Sequence, residues 1–145
     1  MLNKQLACTI PMMTLDELNA LCPDTLMEHL NIVYTEVGED YLCASMPVNH
    51  TTWQPMQLLH GGATLALAES VGSALSVALL KGTGLTAKGM EINANHIRSV
   101  KSGMVFAIAK IIHRGKQSHV IEITIKNEQD KLVSVCRLTN MIVKV

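Results

Sequence analysis

The sequence predicts an α+β fold, one long buried helix wrapped by a single curved antiparallel sheet, and two observations carry that prediction. Residues 58–80, LLHGGATLALAESVGSALSVALL, hold a single acidic side chain, Glu69, and until Lys81 nothing basic but His60. A helix that is apolar all round must be buried on every side. After it come four segments rich in Val, Ile and Thr, separated by short polar joints, which is the patterning of antiparallel strands. The helical stretch is also long enough to span a bilayer. Its central Glu69, its Gly61-Gly62-Ala63 opening and the strands that follow favour a core helix instead.

Taken in order, residues 1 to 13 show no clear period. Thr14 is a helix N-cap with Glu17 as its capping-box partner, and Leu15, Leu18 and Leu21 recur at helical spacing. Pro23 and Asp24 break this helix, and Thr25 to Leu30 makes another turn. Ile32 to Val37 and Tyr41 to Val48 are extended in pattern and, joined by Gly38-Glu39-Asp40, predict a hairpin. Asn49 to Gln57 is a loop feeding the long helix. Gly82 and Gly84 stop that helix. The remaining strands, Leu85 to Arg98, Met104 to Arg114, His119 to Lys126 and Leu132 to Val145, predict a meander in which sequence neighbours pair.

The 145 residues amount to one domain, 1–145. Twelve basic residues balance twelve acidic ones with no run of one sign, which gives no footprint for nucleic acid or an anionic membrane. Charged residues are 17% against a usual quarter or so, and mean hydropathy is +0.25, which suggests burial between subunits. With 3% aromatics and nine Met, the core is aliphatic and adaptable. Cys8, Cys22, Cys43 and Cys136 lack CxxC spacing, and the N-terminus lacks the apolar region of a secretory signal. Reduced thiols and a cytoplasmic location are expected.

Two features point to chemistry. A carboxylate midway along a buried helix, with no Lys or Arg within a turn or two, is costly unless paired, hydrated or protonated. Glu69 is therefore either a solvated or hydroxyl-bonded side chain or a nucleophile or general base in a pocket. His60-Gly61-Gly62 opens the same helix, where unpaired N–H groups and the positive dipole end can hold a developing oxyanion. A tight loop-to-helix entry is the plainer reading of that pair of glycines. His60 and Glu69 are nine residues apart, roughly 13 Å along a helix. If both act on one carbonyl, they come from different chains, and a two-fold dimer is required. Ser70, Ser73 and Ser76 lack the G-x-S-x-G elbow, and for Ser70 and Ser76 a structural role is the default. His96, His113 and His119 lack metal-ligand spacing, so no metal is expected. Gly82-Thr83-Gly84 lacks a dinucleotide fingerprint.

LLHGGATLALAES followed by GMEINANHIRSVKSG resembles the hotdog-fold acyl-CoA thioesterases of the 4-hydroxybenzoyl-CoA thioesterase superfamily. Within that family the likeness is to the branch of 1,4-dihydroxy-2-naphthoyl-CoA and enterobactin-pathway proofreading enzymes. It runs from about residue 14 to the C-terminus and includes the capping-box helix, the QP before the LLHGG turn and the EINANH strand. The resemblance implies hydrolysis of an aromatic or small acyl-CoA thioester and, through one member of the branch, a place in menaquinone biosynthesis. It implies Glu69 as nucleophile or general base, Gly61 as backbone donor to the thioester carbonyl, His60 and Gln54 as polar residues around that carbonyl, and Ser73 as a helper that places the attacking water. It also implies coenzyme A contacts at Gly89, at His96, Ile97, Arg98 and Ser99, and at His113, Arg114, Gly115, Lys116, Gln117 and Ser118. Arg98 and Lys116 suit the phosphates, although the Arg114 to Ser118 loop departs from the family's basic order. No cofactor is implied beyond the coenzyme A of the substrate, and the assembly expected is a homodimer at least, a homotetramer by family likeness. A non-catalytic acyl-CoA-binding hotdog domain is the second reading, and Glu69 speaks against it. A hydratase of the same fold is a third, disfavoured for want of a nearby Asp/His pair.

Overall fold

The computed structural model describes residues 12–145. Residues 1–11, with Cys8, lie outside the described residues. Helix α1 (Leu15–Asn19) starts as the sequence predicts. Thr14 Oγ1 accepts from the Glu17 amide at 3.2 Å and Glu17 Oε2 accepts from the Thr14 amide at 2.8 Å. Helix α2 (Leu26–His29) follows, and strands β1 (Val33–Val37) and β2 (Tyr41–Val48) form the antiparallel hairpin. The long helix α3 runs Gly61–Leu79, with strands β3 (Leu85–His96), β4 (Gly103–Arg114), β5 (Ser118–Asn127) and β6 (Leu132–Lys144) after it.

All six strands form one antiparallel sheet in the order β1-β2-β4-β5-β6-β3. The expected meander is therefore corrected at one point, since β3 pairs with β6 and not with β4. The link 97–102 makes this feasible, because it need only cross three strand spacings, roughly 14 Å. It is fastened on the way: Ile97 and Arg98 amides donate to the Val133 carbonyl, the buried Val100 anchors it in the core, and the Val100 carbonyl accepts from Leu59 at the entry to α3. β3 thus becomes an edge strand, with most of its side chains exposed.

α3 lies on the inner sheet face. Leu67, Ala68, Val71 and Leu75 bury against Val105, Ala107, Ile121, Ile123, Ile125 and Leu138, alternate residues of β4 to β6. Gly72 permits the closest approach, for a Cβ there would stand 2.7 Å from Leu138 Cδ2. The expectation of burial on every side holds for only one face. Ala66, Glu69, Ser70, Ser73, Ala74 and Val77 on the other face are only half-buried, because α1 and α2 cover it incompletely and its small side chains leave a groove. By length and composition α3 could cross a membrane, but here it packs as the core helix of a sheet.

Candidate active site

Glu69 sits on the groove face of α3, beside Ser70 and Ser73 in the wall of a cavity of about 390 Å³. The rest of the lining is almost wholly apolar and comes from α1 and the turn after it, α2, β1 and α3 itself, including Leu21, Leu26, Met27 and Tyr34. Among the described residues the two ion pairs are Glu17–Lys81 and Lys126–Asp130, so no cation neutralises Glu69. Its carboxylate rests on the backbone of Gly89, where any Cβ would collide with Oε1. The β3–β6 ladder slips by one residue between Gly89 and Glu91, a bulge of the kind that re-aims side chains beside sites. Tyr34 closes the cavity floor. Its hydroxyl donates to the Ser70 carbonyl at 3.2 Å and burial pushes its pKa up, so it stays neutral. Burial likewise raises the Cys22 thiol, which lines the same cavity as an inert apolar group.

The N-terminus of α3 forms a second, separate cluster. His60 is its N-cap, and His60 Nδ1 accepts from the Gly62 amide at 2.7 Å. That bond makes Nδ1 the accepting nitrogen of the ring, which lines a shallow hollow with Trp53, Ala63 and Ala66. Among the described residues nothing accepts from the Gly61 amide. Gly61 instead lines a cavity of about 240 Å³ together with Gln54, Thr64, His96, Ile97, Arg98 and Ser99. A Cβ on Gly61 would come within 2.9 Å of His96 Nε2, so the absent side chain leaves room between that ring and the helix end. Ser134, whose hydroxyl lies 3.3 Å from His96 Nδ1, holds the ring from behind. Gln54 closes the loop with its side-chain oxygen accepting from the Met56 amide.

The structure therefore gathers Gln54 and Gly61 with His96 to Ser99, and Glu69 with Ser73 and Gly89, but keeps the two sets apart along α3. The third set, His113 to Ser118, lies at the other end of the sheet. Ser134 faces His96, and Met141 faces Ser118, which puts the two regions that the resemblance assigns to coenzyme A about 23 Å apart along β6. In the third set Arg114 donates to the Leu79 carbonyl at 3.0 Å, capping the negative end of α3. Sequence reasoning missed Thr64, Ser134 and Asn140. Thr64 offered no signal, while Ser134 and Asn140 are polar residues on the inward row of β6 that also holds Cys136 and Leu138, a signal that alternation could have flagged.

Comparison with known proteins adds family evidence. Residues 56–134 match the model of the thioesterase superfamily. A Vibrio cholerae protein provisionally named an esterase is 46% identical over 126 residues, 87% of this chain and 83% of its own. The crystal structure of a thioesterase from Haemophilus influenzae is 44% identical, covers 92% of both chains and superposes with a TM-score of 0.88. A Staphylococcus aureus relative is 41% identical to this chain, with a TM-score of 0.81 over 83% of this chain and 100% of its own. Its structure was determined with a glutamate replaced by alanine, and again with a glutamine replaced by alanine.

Proposed function

Because this chain belongs to the thioesterase superfamily and is a thioester hydrolase, we propose that it hydrolyses an acyl-CoA with an aromatic or small acyl group, 1,4-dihydroxy-2-naphthoyl-CoA among the candidates. In this reading it acts in the cytoplasm without a metal or cofactor, Glu69 is the general base or nucleophile, and the Gly61 amide stabilises the oxyanion. The observation that carries it is Glu69 itself, a carboxylate with no cationic partner in the wall of an otherwise apolar cavity. An apolar acyl group suits that cavity, and the carboxylate stands where its carbonyl end would lie. The two alanine variants of the Staphylococcus aureus protein support the same pair of residues, since the replaced glutamine and glutamate are fifteen residues apart, the spacing of Gln54 and Glu69.

The separation of Glu69 from Gly61 supports a homodimer in which each site takes one from each chain, the assembly a two-fold axis allows. The long exposed edge of β3 offers a surface for such a partner. Arg98, in the Gly61 cavity, and Lys116 are the cations proposed for the coenzyme A phosphates.

The test is Glu69→Gln, which keeps size and loses the basic charge. We expect kcat to fall by about two to three orders of magnitude, the general-base contribution, with KM and Tm near those of the unaltered protein. Near-normal turnover would return Glu69 to a solvated structural role. Steady-state rates with benzoyl-, dihydroxynaphthoyl-, short- and long-chain acyl-CoAs identify the acyl group.

A further inference from the structure

A polar seam crosses the aliphatic core directly behind Glu69. On α3, Glu69, Ser73 and Ser76 are spaced i, i+4, i+7 and form one stripe. On the sheet, Gly89, Asn140 and His119 are in register across β3, β6 and β5 and form one row. Stripe meets row residue by residue. The Glu69 carboxylate covers Gly89, Ser73 Oγ reaches Asn140 Oδ1 at 3.5 Å, and Ser76 Oγ stands 2.8 Å from Asn140 Nδ2 and 3.1 Å from His119 Nδ1. Ser76, Asn140 and His119 are all at most 1% exposed. Buried polar groups among Leu and Ile side chains are costly unless bonded, and His119 Nε2 has no partner among the described residues. Packing alone does not call for them.

The direction of the bonds follows from chemistry. Asn140 Nδ2 lies 3.5 Å from the Gly72 carbonyl, which can only accept, so the amide group of Asn140 must present its nitrogen to Gly72 and Ser76. Its oxygen is thereby turned toward Ser73. The Ser73 hydroxyl can then bond Asn140 only as a donor, which commits its one proton to the core and leaves its lone pairs facing the cavity shared with Glu69.

We propose that Asn140, anchored by the Gly72 carbonyl and Ser76, is a positioning residue that fixes Ser73 as an acceptor for the hydrolytic water. One proton of that water is then held by Ser73 Oγ and the other by Glu69. As the water oxygen bonds to the acyl carbon, its second proton passes to Glu69, the C–S bond breaks and the departing coenzyme A sulfur takes up that proton. The inference rests on Glu69 being the base, and it goes beyond that reading by assigning work to residues that never touch the substrate.

A double-mutant cycle tests it. Ser73→Ala should lower kcat about tenfold with KM little changed, at the low edge of what a positioned proton acceptor contributes. Asn140→Ala should lower kcat by a similar factor, and the double variant should lose no more than either single one, because both remove the same seat. Ser76→Ala, a milder change that loosens the anchor, should show a smaller loss that also vanishes in the Ser73→Ala background, and it serves if Asn140→Ala does not fold. Multiplicative losses in the Ser73→Ala background, or an Asn140 or Ser76 variant of full kcat and lowered Tm, overturn the proposal and leave the seam a structural feature. Glu69→Gln with near-normal turnover would overturn the function itself, a result distinct from any outcome of the cycle.

Discussion

An alanine at position 89 would drive its Cβ into Glu69 Oε1, yet nothing in the backbone forbids it, since Gly89 is not among the glycines with positive φ. The carboxylate is the flexible end of a half-buried side chain and can swing aside. Gly89→Ala should therefore leave Tm unchanged or slightly raised, as a glycine replaced at a compatible site loses unfolded-state entropy, while kcat falls at least about tenfold through the misplaced base. Parallel loss of Tm and kcat would show that the glycine serves the strand and not Glu69. At His119 the expectation concerns pH. Burial first, then the Arg114 and His113 charges, hold its pKa below the ordinary 6.5, so the folded protein keeps the ring neutral where the unfolded chain takes up a proton. Stability from this group is complete above about 6.5, where neither state is protonated, and is lost as pH falls from there through the lowered folded value. Tm measured from pH 8 to pH 5 should drop more steeply for the unaltered protein than for His119→Gln. Identical slopes would mean that other groups set the acid limit.

Among the elements, α3 is the one whose sequence and packing disagree at a single point. Gly72 costs a helix about 1 kcal/mol relative to alanine, so propensity alone says that Gly72→Ala stabilises. Packing says the reverse, because the new Cβ would lie 2.7 Å from Leu138 Cδ2 and 3.4 Å from Ile123 Cδ1, and overfilling a packed core costs about 1–3 kcal/mol. We expect packing to win and chemical denaturation to show a net loss; a gain in midpoint at constant m-value would show that Leu138 yields freely. The same helix shows how far sequence reading reaches. Glu69 and Gly61 were legible because each breaks a local pattern, a charge in an apolar run and a glycine pair at a helix start. Asn140 and His119 were not connected to them, since their meeting with Ser73 and Ser76 depends on strand register, and register is written in pairings that one strand's pattern does not contain. The position of β3 was hidden for the same reason. Short joints predicted neighbours in sequence order, and only the burial of Val100 and the bonds to Val133 reveal that the 97–102 link travels across the sheet end.

For the molecule as a whole, the distance between the two halves of the site makes a prediction about mixtures. Glu69→Gln and Gly61→Val should each be nearly inactive, the second because its side chain would fill the space before His96. Refolded together, random pairing makes half of the dimers mixed, and each mixed dimer has one site with both native residues, so about a quarter of full activity should return. Activity no greater than the sum of the parents would place both groups in one chain's own site. The sheet order has another consequence, for the making of the protein. β3 leaves the ribosome well before β6, yet among the described residues β6 is its only partner, from Ser134 opposite His96 to Lys144 opposite Leu85. Contacts so distant in sequence are the slow ones to form. Until β6 has been made, the strand beneath Glu69 lacks that partner, and the nascent chain carries a loose, aggregation-prone segment whose protection waits on a strand synthesised after β4 and β5.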